Sequence, residues 1–227
     1  MAGVTIVFAA PRQGKTYWAT SKAVHALKKG KQKVFTNYPV FYKNKSTLVW
    51  ESGYETEPIT DSLIIIDEAY RYFNSRNYKN FTDEEHFFFA TSGQNENDII
   101  LIAHSPARLD TVIREIASLF LFVKKITIPL TEYPLWFRTE GYLDEISLSR
   151  RAMSKEAFDS VEHHIFRKKI AKAYDTHFFR KIDIPETQFY TWAEKTDVEI
   201  TKSSLLHSIR QSFQKLCTFL KCQRKDN

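Results

Sequence analysis

Cysteine is scarce in this chain of 227 residues. There are two, Cys217 and Cys222, both near the C-terminus. Neither belongs to a Cys-x-x-Cys pair, which argues against structural zinc and for a reduced, cytosolic setting. His163 and His164 are adjacent, so on a helix they face different directions and make no metal site. The start of the chain lacks the basic-then-apolar pattern of a secretory signal. Long apolar runs are missing as well. The best of them, Leu119 to Val123, is strand length, against the roughly 20 residues of a membrane helix. No internal repeat and no low-complexity segment is present.

What is present is an ordinary globular composition, 43% apolar and 26% charged. The length suits one α/β domain with an appendage. A net charge of +6 favours polyanionic partners. Eleven tyrosines and eighteen phenylalanines imply heavily packed sheet faces or an interface between subunits.

The most informative stretch lies at the start. Val4 to Phe8 reads as a buried strand, a turn with Pro11 and Gly14 follows, and Tyr17 to Lys28 reads as a helix. Strand, turn, Gly14-Lys15-Thr16 and helix are the parts of a phosphate-binding P-loop. The turn aims backbone N–H groups inward and the helix N-terminus adds partial positive charge. Lys15 would reach the β- and γ-phosphates of ATP, and Thr16 would place its hydroxyl on Mg²⁺. One position departs from the pattern, because Ala9 stands where glycine is expected. Alanine serves there if the backbone keeps a negative φ. The contact stretch is therefore Ala9, Ala10, Pro11, Arg12, Gln13, Gly14, Lys15, Thr16 and Tyr17.

Further along, Lys33 to Asn37 reads as a second strand, and residues 42–61 as a small hairpin or long loop. Leu63-Ile64-Ile65-Ile66 is a strand buried on both faces, and it empties into Asp67 and Glu68. Asp67 can hold Mg²⁺ beside Thr16, and Glu68 can polarise the attacking water. A short helix over Ala69–Phe73 and another over Asp83–Gly93 follow. Asp98 to His104 is a further strand buried on both faces, Ser105 to Ala117 a helix, and Leu119 to Ile126 a fifth strand. This alternation predicts an α/β fold with a mostly parallel, doubly wound sheet flanked by helices. Leu135 to Tyr142 reads as one or two antiparallel edge strands. Ser154 to Lys172 is helical in character. Leu205, Leu206, Ile209, Phe213, Leu216 and Leu220 recur at helical spacing within a basic tail. Residues 1–150 are thus read as the nucleotide-binding core and 151–227 as a helical C-terminal appendage.

Phe8 to Thr16, Leu63 to Arg76, and Asp98 to Pro106 together resemble the zonular occludens toxin family, which includes the assembly ATPases of filamentous phages. Ala173-Tyr174-Asp175-Thr176-His177 is similar to the segment after the core in those proteins. Ile66 to Phe73 also resembles the genome-packaging ATPases of membrane-containing icosahedral viruses, and both groups belong to the FtsK/HerA class of P-loop motors. The resemblance implies a homo-oligomeric ring, such as a hexamer, that hydrolyses ATP with Mg²⁺. It implies that the ring acts on viral nucleic acid, double-stranded DNA first, in the host cytoplasm or at the virion or host membrane. A capsid or membrane protein would be the further partner. It also implies a polar sensor at the end of the fourth strand, where family members commonly carry Gln and this chain has His104. A neighbouring subunit would supply an arginine finger, Arg114 first, with Arg76 and Arg108 as the other candidates. Arg12 would contact nucleotide or a neighbour. Packaging a genome into a capsid is the first expectation, because no membrane span follows the core. Extrusion of a filamentous virion is the second, and a nucleotide-binding morphogenesis protein without turnover the third.

Overall fold

The computed structural model describes residues 3–30, 32–51, 59–75, 82–145, 158–175 and 178. The amphipathic pattern over 201–221, both cysteines and Arg76 lie outside the described residues. Ten strands are described: β1 (Gly3–Phe8), β2 (Lys33–Thr36), β3 (Phe41–Tyr42), β4 (Lys45–Ser46), β5 (Leu48–Val49), β6 (Ser62–Ile66), β7 (Asp98–Ala103), β8 (Leu119–Thr127), β9 (Pro134–Tyr142) and β10 (Ser160–Ile165). Eight of them form one sheet in the order β10-β9-β8-β1-β7-β6-β2-β5. The six from β8 to β5 run parallel, and β9 and β10 extend one edge antiparallel. The short pair β3–β4 forms a separate hairpin.

The aliphatic runs predict this arrangement because they are buried from both sides. Ile64, Ile66, Ile99 and Leu101 face one layer, and Leu63, Ile65, Ile100 and Ile102 face the other, the period-two alternation of a strand. The first layer holds α2 (Asp83–Ala90) through Phe88 and Phe89 and α3 (Thr111–Ile116) through Ile113. The second holds α1 (Lys15–Lys29) through Tyr17, Trp18, Ala19 and Ala23. Gly30 ends α1 at φ 65°, in the left-handed conformation that glycine adopts without cost, and its N–H bonds the Ala26 carbonyl.

Two local expectations are corrected. The helix expected from Ser105 to Ala117 is broken into a 3₁₀ turn, Pro106–Arg108, and α3. Leu109 between them is extended, and the Asp110 carboxylate accepts from the Val112 N–H to start a new helix. The stretch 154–172, read as helical, contains β10, which pairs with β9 through Ser160↔Gly141 to Ile165↔Trp136. Only Lys168–Ala171 is helical within the described part of it. The sheet therefore reaches beyond residue 150. The stretch after β2 combines the β3–β4 hairpin with β5, and it buries Trp50 to 1% exposure.

Candidate nucleotide-binding site

Parallel strands in register end at one edge, and this gathers the chemistry. Phe8 pairs with Ala103 and Ile66 with Leu101, so the segments following β1, β6 and β7 emerge side by side. After β1 the chain turns through Ala9–Gly14 into α1. The left-handed positions of this turn are Arg12, at φ 61°, and Gly14, at φ 94°, while Ala9 is not among them. The methyl of Ala9 therefore meets no backbone demand for glycine. Gly14 is required twice over. Its φ favours glycine, and a Cβ there would collide with the ring of Phe137. Lys15 folds back into the loop, its ammonium donating to the carbonyls of Ala9 at 2.9 Å and Ala10 at 3.1 Å. Burial pushes the proton affinity of Lys15 below the usual lysine range, against the pull of Asp67 and Glu68.

The second motif meets the first directly. The Thr16 hydroxyl donates to Asp67 Oδ2 at 2.7 Å. The other Asp67 oxygen accepts from the Glu68 N–H at 2.8 Å. Burial raises the Asp67 carboxyl to about 6, partly countered by the Thr16 hydrogen bond. Asn37, at the end of β2, clamps the Asp67 backbone with two bonds of 2.8 Å, one donated to its carbonyl and one accepted from its N–H. Glu68 follows in the left-handed region, φ 51°, which turns its side chain out of the strand path and onto the pocket lining. Its Oε2 makes no hydrogen bond among the described residues. It lies 3.5 Å from Nε2 of His104. The other ring nitrogen of His104 lies 3.4 Å from the Lys15 ammonium. Because that ammonium can only donate, Nδ1 accepts and the ring proton sits on Nε2, facing Glu68. His104 thus stands between the Lys15 ammonium and the Glu68 carboxylate.

These groups line a cavity of about 600 Å³. Its other walls come from β9, from Phe166 and from the segment through Asp175. Phe137 stacks on Tyr17 with centroids 4.5 Å apart, and Phe166 lies 5.4 Å from the same ring. The Arg167 N–H donates to the Tyr17 hydroxyl at 2.7 Å. Tyr174 bridges to Val40 and packs edge-on against Tyr38. Its phenol is raised to about 12 by burial and by the Asp67 charge. The structure therefore brings together Lys15, Thr16, Asp67, Glu68 and His104. Pro11, Arg12, Gly14 and Tyr17 line the same cavity, and Gln13 accepts from the Lys125 N–H at its margin.

Arg114 is not part of that lining. It pairs with Glu145 and donates to Thr111 on the other layer of the sheet. Arg108 rests over the Tyr70 ring at 5.2 Å. Asn37, Phe137 and Phe166 escaped the sequence reading. An Asn-Tyr-Pro strand end and isolated aromatics carry no spacing signal, and only sheet order places them.

The cavity suits a nucleoside triphosphate. It joins a phosphate-sized turn, a threonine–carboxylate pair able to take Mg²⁺, and aromatic faces at its far wall. Comparison with known proteins agrees on the fold. The solved N-terminal domain of zonular occludens toxin from Neisseria meningitidis superposes with a TM-score of 0.51 at 15% identity, over 77% of this chain and 100% of that one. The genome packaging NTPase of Sulfolobus turreted icosahedral virus 2, in complex with ATP-gammaS, scores 0.46 at 14% identity, covering 72% of this chain and 96% of that one. No curated protein sequence matches the chain. The family profile described as zonular occludens toxin (Zot) matches residues 40–175. That span holds Asp67, Glu68, His104, the antiparallel extension and Tyr174, and starts after the Ala9–Gly14 turn. Since it covers more than half of the chain, the protein belongs to the zonular occludens toxin family.

Proposed function

We propose that this protein is an Mg²⁺-dependent ATPase that couples hydrolysis to the movement of a viral genome during virion assembly. The observation that carries the reading is the 2.7 Å bond from Thr16 to Asp67. It joins the two halves of a phosphate-and-metal site drawn from strands separated by β7. Lys15 would exchange its loop carbonyls for β- and γ-phosphate oxygens. Thr16 and Asp67 would hold Mg²⁺, which supplies charge neutralisation on the phosphates when bound. Glu68, with one oxygen not hydrogen-bonded, would take the proton of the attacking water. His104, with its proton on Nε2, would orient that carboxylate or donate to the γ-phosphate. In a ring of like subunits, Arg114 is the arginine we assign to the neighbouring site, with Arg76 and then Arg108 as the alternatives.

Two destinations for the genome follow. Packaging into a capsid is the first reading of the sequence, and assembly and extrusion of a filamentous virion, the role that the resemblance to phage assembly ATPases implies, is the second. The test is ATP hydrolysis by wild type and Glu68→Gln, with and without double-stranded DNA, while the assembly state is followed. Turnover that needs an oligomer, rises with DNA and falls about 10²- to 10⁴-fold in the variant is the expected result. Turnover indifferent to DNA would shift the reading to extrusion. ATP binding without hydrolysis in every assembled form would overturn the motor and leave a nucleotide-gated structural role.

A further inference from the structure

Lys22, His25 and Lys29 recur along α1 at spacings of three and four, which places them on one face of the helix. Two grooves border that face. One, of about 400 Å³, lies between α1 and the end of β10 and is lined by Lys22, His25, His163 and Arg167 among others. The second, of about 330 Å³, is lined by Lys22, His25 and Lys29 and reaches the start of β7. Lys22 and His25 belong to both, so the grooves adjoin. Among the described residues none of these five side chains forms an ion pair. The Lys22 ammonium rests over the Trp18 ring, 4.9 Å from its centre. The facing carboxylates are Glu162, 3.2 Å from the His164 ring, and Asp98, at the far end of the second groove. Positive charge is therefore in excess along the whole path.

We propose that this doubled groove binds the phosphate backbone of nucleic acid. Lys22 and Lys29 are seven residues apart on a helix rising 1.5 Å per residue, about 10 Å, or about three base-pair steps of one DNA strand. The cations come from two separate elements, α1 and the chain after β10, and line concave walls, as a tracked backbone requires. An anionic membrane calls instead for a flat face with apolar side chains to insert. Contact to phosphates alone reads no sequence, which suits a protein that must move any genome. The choice of nucleic acid among polyanions rests on the motor reading above.

The test uses the full chain and fluorescently labelled double-stranded DNA, with anisotropy followed across a salt series. The groove variant combines Lys22→Gln, Lys29→Gln and Arg167→Gln. A charge-matched control combines Lys33→Gln, Lys43→Gln and Lys124→Gln, all exposed and outside both grooves. The groove variant is expected to bind about tenfold or more weakly and to lose about three from the salt slope. The control should stay near wild type, and basal ATP hydrolysis should survive in both variants. Equal weakening by the two variants, or wild-type binding to phosphatidylserine vesicles but not to DNA, would overturn the proposal. The two readings fail separately. DNA binding lost only in the groove variant, in a protein that hydrolyses no ATP, would sink the motor and keep the groove. DNA-stimulated hydrolysis with unchanged binding by the groove variant would do the reverse.

Discussion

Asp67 carries a conflict between stability and chemistry that a single substitution can expose. Its carboxyl is raised from 3.8 to about 6, chiefly by burial. The folded chain therefore holds a proton between about pH 4 and 6 that the unfolded chain has released, so nucleotide-free stability falls as pH rises through that window. Above it, the buried charge costs on the order of 3 kcal/mol. Asp67→Asn should flatten the acid side of a melting-temperature profile, with a neutral-pH melting temperature no lower than wild type, while abolishing Mg²⁺-dependent nucleotide binding. Nucleotide binding by wild type should weaken below about pH 6 as Asp67 takes up its proton. A profile identical in the two proteins would show that another group sets the pH dependence. Lys15, Thr16, Asp67 and Glu68 were legible in the sequence because two short motifs specify them. The position of His104 between Lys15 and Glu68 was not, since it depends on β7 lying between β1 and β6.

At the scale of elements, the Ala9–Gly14 turn is held from outside by β9. Phe137 is 3% exposed and fills the space where any side chain at position 14 would sit. Phe137→Ala should cost about 3 kcal/mol in denaturant unfolding and weaken nucleotide affinity as well, because the loop loses its backing. A stability loss with unchanged affinity would separate the two. Asn37→Ala removes both bonds to the Asp67 backbone and should cost about 1–3 kcal/mol, with the Mg²⁺ requirement for binding raised. Thr82 caps α2 reciprocally with Glu85, so Thr82→Ala should cost about 1 kcal/mol and leave nucleotide binding alone. A helix starting at Asp83 was readable in the sequence, and its capping box by Thr82 was not among the readings. Nor were the break at Leu109 and the strand nature of Ser160–Ile165. Asp110 competes locally for the backbone, and β10 is a strand only because β9 offers it an edge.

Across the whole molecule, the loop, α1 and the chain after β10 form one connected unit. Tyr17 accepts from the Arg167 N–H, the Trp18 indole donates to His164 at 3.2 Å, and the Phe41 N–H donates to the Ala173 carbonyl at 2.8 Å. Nucleotide at Lys15 should therefore be felt along Phe166–Tyr174. A non-hydrolysable ATP analogue is expected to slow backbone hydrogen exchange there as well as in the loop, with α2 unchanged. Protection confined to Ala9–Tyr17 would show that Phe166–Tyr174 is merely packed against the site.

The sequence by itself determined the buried parallel core and the two motifs that punctuate it. Aliphatic runs such as Leu63–Ile66 have no stable alternative to burial on both faces, and Gly-Lys-Thr at a helix start is a local conformational requirement. Tertiary structure alone decided what surrounds those motifs. Phe137, Asn37, Tyr174 and the Lys22–Arg167 grooves are brought together by strand order and by the chain crossing back over α1. Contacts between residues far apart in sequence leave no periodicity in it, because each partner is chosen by packing at a distance and not by its neighbours along the chain.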